Sequence, residues 1–243
     1  MTAIAVGSVR SAGATTIAMT LAALRSEAVL VEADGDGGVL ALRYGLAREP
    51  GLLTLAASRQ PPAAVLLEHA QRLPGGMPVV LAPESPERAS QVLRSAGRRI
   101  ASLMTEPGER DVIIDIGRLS PSGTGMAIAA AAPLVLIVAR PRAEELVAAA
   151  ERASVIGETA RLVLVGTGPY SASDVASQLG CAVAGTVAAD PRAARTLADG
   201  GSARSLGRSA LVRSVRALGL VLEPAPGPAG SRTRDLERAE APV

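Results

Sequence analysis

Three short stretches carry the residue types from which a phosphate-handling site could be built: GSVRSAGATT at 7–16, EADGDGG at 32–38 and DIG at 115–117. In the first, the small residues Ser11, Ala12, Gly13 and Ala14 would let backbone N–H groups approach an anion closely. The N-terminus of a following helix, opening at Thr15 and Thr16, would add its dipole. The hydroxyl of Thr15 could ligate a divalent cation, with Asp115 supplying a carboxylate from the end of a buried strand. Asp34 could orient or activate a water, although Asp34 and Asp36 can also be read as turn chemistry around Gly35, Gly37 and Gly38. The missing part is a lysine. All 25 basic residues are arginine, and the chain has neither Lys nor Asn. A Schiff base, a lysine general base and a lysine grip on phosphate are therefore excluded.

Positioning such groups requires strands that end where the ligand sits. Short apolar runs at 3–6, 28–31, 78–81, 111–116, 134–138, 162–165 and 182–187 predict seven strands. Between them, stretches such as 87–104, 142–156 and 171–179 repeat their apolar residues at helical spacing. Alternation of this kind predicts an α/β fold with helices on both faces of a mainly parallel sheet. The runs at 112–114 and 134–138 are apolar on both faces, as central parallel strands should be. In an open parallel sheet, ligands bind beyond the carboxyl ends of the strands, and all three polar stretches fall there. The 243 residues divide into one domain, 1–222, and a Pro-, Gly- and charge-rich tail, 223–243, expected to be disordered.

Composition narrows the class further. With 48% apolar residues but only two Tyr, no Phe and no Trp, the core must be aliphatic. The net charge is +2 and its arginines are interspersed with acids, which speaks against DNA as a partner. A lone cysteine, Cys181, excludes an intrachain disulfide and a cysteine metal cluster and is expected to pack at the start of a buried strand. His69 has no acid or cysteine at ligand spacing and is expected at the surface or in a capping role. The N-terminus lacks a signal peptide's basic region and cleavage site, so a cytoplasmic protein is expected. The longest apolar run, 126–139, is broken by Pro133 and is shorter than the roughly 20 residues a membrane span needs. A basic amphipathic helix is predicted at 205–222. Its apolar face, widened by residues 220–222, favours packing on the sheet over peripheral membrane contact.

Taken in order, the loop at 7–16, VLVEADGDGGVLALRYGL, VIIDIG, LVLVGTGPY and GTVAADPRAA resemble the MinD/ParA family of P-loop ATPases, the deviant Walker A group, over residues 2–222. Within that family the chain is similar to the actinobacterial CpaE/TadZ branch associated with pilus or secretion assembly. The resemblance implies a three-layer P-loop NTPase fold, ATP and Mg²⁺ as ligands, and a homodimer formed through the nucleotide face. It also implies a positioning or regulatory role, with a secretion ATPase, a pilus ATPase or a polar factor as partner. It assigns residues 10–16 to the phosphates, Thr15 and Asp115 to the metal, and Asp34 to the attacking water. Glu32 becomes the first acid of the family's D-x-D, Gly117 the switch II glycine, and Asp190 part of a loop near the base.

The chain departs from the family pattern K-G-G-x-G-K-T-T, since Val9 and Ala14 occupy the two lysine positions, and Gly166 and Thr167 stand where a base-reading Asn is usual. Weak ATP binding with reduced or lost hydrolysis is the expectation. Two alternatives stay open: a nucleotide-independent scaffold, and an active ATPase that borrows Arg10 or a partner's arginine.

Overall fold

The structure is a computed structural model and describes residues 3–105 and 110–222, so the tail at 223–243 lies outside the described residues. In chain order the elements are β1 (Ala3–Ser8), α1 (Ala14–Leu24), β2 (Val29–Glu32), α2 (Leu40–Tyr44), α3 (Leu52–Ala57) and α4 (Pro62–Val65). They continue with β3 (Gln71–Arg72), β4 (Pro78–Val80), α5 (Pro86–Thr105), β5 (Val112–Arg118), α6 (Thr124–Ala131) and β6 (Val135–Ala139). The last are α7 (Ala143–Ile156), β7 (Ala160–Val165), α8 (Ala172–Leu179), β8 (Val183–Val187), α9 (Pro191–Ala198) and α10 (Ala210–Leu222).

Eight strands form one sheet in the order β3-β4-β2-β5-β1-β6-β7-β8, parallel throughout except for the β3/β4 pair. The strand beyond the seven expected is β3. It is two polar residues long, with no hydrophobic pattern to announce it, and joins β4 through a hairpin closed by the Leu73 N–H on the Met77 carbonyl. β1 lies centrally between β5 and β6, so anything beyond its carboxyl end is flanked by the ends of those two strands.

The period of two along each strand explains the three layers. From β1, Ile4 and Val6 face a cluster containing Ile17 and Leu21 of α1 and Leu211 and Val215 of α10. Ala3 and Ala5 face the opposite cluster, with Leu93, Ile100 and Leu103 of α5 and Leu146 of α7. Both clusters are aliphatic, and burying each such side chain contributes roughly 1.5–3 kcal/mol.

Two expectations are corrected at the C-terminal end. The helix predicted from 205 begins at Ala210, because a 3₁₀ turn, Ala203–Leu206, and Gly207 precede it. It packs on α1 and β8 through Leu211, Val212, Val215 and Leu218, while Leu220 and Val221 stay exposed. Cys181 does not start a buried strand: it is half-buried just before β8, an edge strand whose residues are largely half-exposed. His69 sits half-exposed with its Nδ1 2.8 Å from the Thr54 hydroxyl. Among the described residues, no helix is long and apolar enough to cross a membrane.

Candidate functional site

Beyond Ser8 the chain turns through residues 9–13 and enters α1 at Ala14. The turn demands left-handed backbone at Gly13, with φ 99°, and puts Ser11, a non-glycine, at φ 49°. Gly13 is the residue before the helix and accepts its first bond, from the Ile17 N–H, but has no side chain to cap the helix. The first turn holds no acid either, so the N–H groups at this end are open to an anion. The two positions that carry lysine in the resembled family have apolar duties here. Ala14 is buried in the cluster under α1, and Val9 packs partly buried on the opposite cluster.

Carboxylates gather beside this loop because β2 and β5 end together. Glu32 and Asp115 are partners in strand register, and each is only 1% exposed. The Thr15 hydroxyl and the Gly117 N–H both hydrogen-bond to the Asp115 carboxyl, the latter at 3.1 Å. Burial nevertheless pushes Asp115 up to about 6, with the neighbouring Asp34 adding to the rise and Arg43 opposing it. The two predicted metal ligands, Thr15 and Asp115, are thus brought together. Among the described residues no cluster of three or more His, Cys, Asp or Glu side chains could hold a metal alone. One hydroxyl and one carboxylate suit Mg²⁺, which takes a few protein oxygens and completes its shell with phosphate and water.

Glu32 has a different task. Its Oε1 accepts from the N–H groups of Val39 at 2.6 Å and Leu40 at 3.0 Å, and its Oε2 from that of Ala82 at 3.1 Å. One buried carboxyl therefore caps the start of α2 and ties the loop after β2 to the end of β4. Burial pushes it up to about 7, against the pull of those N–H groups and with the Asp115 charge adding to the rise.

Asp34 combines the two readings left open by the sequence. Its Oδ1 accepts from the Asp36 N–H at 2.9 Å, which is turn chemistry. The same carboxyl lies directly against Gly117, whose φ is 59° and where an added Cβ would overlap it. Burial raises the Asp34 pKa, while the Asp36 and Arg118 N–H groups hold it down. Asp34, Gly117, Asp115 and Thr15 therefore form one contiguous group.

Of the other predicted residues, Arg10 lies within the loop after β1 and Asp190 caps α9. Arg10 is exposed and makes no ion pair among the described residues. Asp190 accepts from the Ala193 N–H at 3.0 Å and the Ala210 N–H at 3.1 Å, so its carboxylate clips the starts of α9 and α10 together and is held below its ordinary range. Gly166, after β7, lies beside Ala189, so the later loops do adjoin one another.

Two further arginines that sequence reasoning passed over also reach the loop. Arg118 Nη2 lies 3.4 Å from the Ser11 hydroxyl, and its Nε pairs with Asp36 at 3.1 Å. Arg140 Nη2 lies 3.3 Å from the Ser11 carbonyl oxygen. Its Nη1 pairs with Glu145 at 3.0 Å, and Glu145 is 3% exposed and also accepts the Arg140 backbone N–H at 2.9 Å. Both arginines sit at or just after the ends of β5 and β6, so the positional rule that selected Asp115 would also have selected them.

No protein-family model and no curated protein matches this sequence. Solved structures do match the fold. A ParA family ATPase from Chlorobium tepidum TLS is 17% identical, with a TM-score of 0.68 over 90% of this chain and 98% of that one. The MinC:MinD cell division protein complex of Aquifex aeolicus gives 13%, 0.69, 93% and 98%. The septum site-determining protein MinD of Pyrococcus horikoshii OT3, complexed with Mg-ADP, gives 16%, 0.70, 90% and 95%. The chain has the P-loop NTPase fold of the MinD/ParA ATPases over nearly its whole described length.

Proposed function

We propose that this chain is a MinD/ParA-like, nucleotide-responsive positioning or assembly factor that binds Mg²⁺·ATP weakly and hydrolyses it slowly or not at all. The observation that carries this reading is the convergence of Thr15, Asp34, Asp115 and Gly117 on the open N-terminus of α1. The N–H groups of the loop and of the first turn of α1 would hold phosphates, and Thr15 with Asp115 would hold the cation. When bound, the metal neutralises phosphate charge. Asp34 would orient the attacking water, and its contact with Gly117 links the loop after β2 to the end of β5. The fold likeness to a MinD solved with Mg-ADP supports the ligand class, and the MinC:MinD complex is the precedent for a protein partner. Dimerisation through the nucleotide face, a partner in pilus or secretion assembly and a cytoplasmic setting complete the proposal.

A second reading is favoured by Val9 and Ala14, whose side chains now serve the core. In it, the former nucleotide face is a permanent protein interface. Light scattering with and without Mg²⁺·ATP separates the two. A mass that doubles with nucleotide in wild type but not in Asp115→Ala supports the switch, and a mass indifferent to nucleotide supports the scaffold.

A further inference from the structure

We propose that Arg118 and Arg140 are the cationic phosphate-binding residues of this chain, an assignment that rests on reading residues 9–16 as a nucleotide site. Beyond the charge a bound Mg²⁺ would offset, a chain without lysine must meet a triphosphate with backbone dipoles or arginine, and a helix N-terminus supplies only about half a positive charge. The loop's own arginine, Arg10, is exposed and pairs with no acid among the described residues. Arg118 ends β5 and Arg140 directly follows β6, the strands on either side of β1, so the sheet order places one guanidinium on each flank of the loop.

Each guanidinium is anchored along one edge and available along the other. Asp36 holds Arg118 through Nε at 3.1 Å, and Glu145 holds Arg140 through Nη1 at 3.0 Å. The remaining Nη2 of each reaches Ser11, at 3.4 Å to Oγ and 3.3 Å to the carbonyl oxygen. Those distances are at the long limit for a hydrogen bond, and a neutral serine oxygen is a weaker acceptor than an anionic phosphate oxygen. A phosphate entering the loop would displace a poor partner. The planar fork can grip a carboxylate on one side and a phosphate on the other, which a single ammonium cannot do with fixed geometry. The Arg140 anchor is the firmer, because Glu145 is nearly fully buried and also holds the backbone N–H of residue 140.

The test is calorimetric titration of the full chain with Mg²⁺·ATP, comparing wild type with Arg118→Ala, Arg140→Ala and Arg140→Lys. Arg118→Ala removes a half-exposed side chain whose partner Asp36 is itself exposed, so it should fold and keep the test valid if removing Arg140 from the buried Glu145 disrupts folding. Each alanine variant should weaken binding about 10- to 100-fold, the effect of losing one charged hydrogen bond. Arg140→Lys should fall between wild type and Arg140→Ala. Binding by wild type with Arg118→Ala unimpaired or tighter overturns the assignment alone, and would make these arginines mere tethers of the loop. Absence of binding in folded wild type overturns the nucleotide reading, and the assignment falls with it.

Discussion

Raising the pH from 5 to 8 without divalent metal should weaken the fold, with Glu32 as the main cause. Its pKa is pushed from 4.5 in the unfolded chain to about 7 in the native one, chiefly by burial. A native state that binds the proton more tightly gains stability that is fully present below the unfolded value and lost as the pH rises through the native value. At ~1.4 kcal/mol per pKa unit, the rise from 4.5 to about 7 corresponds to ~3 kcal/mol. Asp115, raised from 3.8 to about 6, acts in the same direction, but the two carboxyls are neighbours in register and their contributions are coupled, not additive. Groups held low, such as Asp190, act at more acidic pH, outside the window. Urea unfolding at pH 5, 6, 7 and 8 in EDTA reads the effect. Stability should fall across the series, and Glu32→Gln should at least halve the slope. That variant should itself cost about 1–3 kcal/mol at pH 5, because its amide would leave one of the N–H groups of Val39, Leu40 and Ala82 without an acceptor. A stability that rises from pH 5 to 8, or a slope unchanged by Glu32→Gln, would show that Glu32 does not hold a proton in the native state over this range.

Other perturbations separate structure from chemistry. Gly117→Ala meets both a φ of 59° and the Asp34 carboxyl, and should destabilise by about 1–3 kcal/mol in thermal unfolding while also weakening any nucleotide response. Asp190→Ala removes a carboxylate that bonds the starts of two helices and should cost about 1–2 kcal/mol, leaving Mg²⁺·ATP affinity unchanged in a parallel titration. Where a partner stimulates phosphate release, Asp34→Ala should abolish the stimulation but not the binding of Mg²⁺·ATP; an unaffected rate would remove Asp34 from the chemistry.

Legibility in the sequence followed the range of the interactions. Each of the seven longer strands contains a short apolar run, and the rule that ligands sit beyond strand ends was enough to assemble Thr15, Asp34, Asp115 and Gly117. β3 escaped because a two-residue polar strand is defined by its hairpin partner and not by its own pattern. Glu32 could be placed at a strand end, yet its capping role depends on the Ala82 N–H, fifty residues away, which no local spacing encodes. The pairing of Arg140 with Glu145 is local, but the convergence of Arg118 and Arg140 on Ser11 exists only once β5, β1 and β6 lie side by side.

In the proposed function, a phosphate loop without lysine holds nucleotide through its backbone, Thr15 and Asp115. Titrating folded wild type and Asp115→Ala with ATP in the presence of Mg²⁺ tests it most directly. Wild type should give saturable heat, lost when Mg²⁺ is withheld and lost in Asp115→Ala. No heat from folded wild type at millimolar Mg²⁺·ATP, or equal binding by the two proteins, would contradict it.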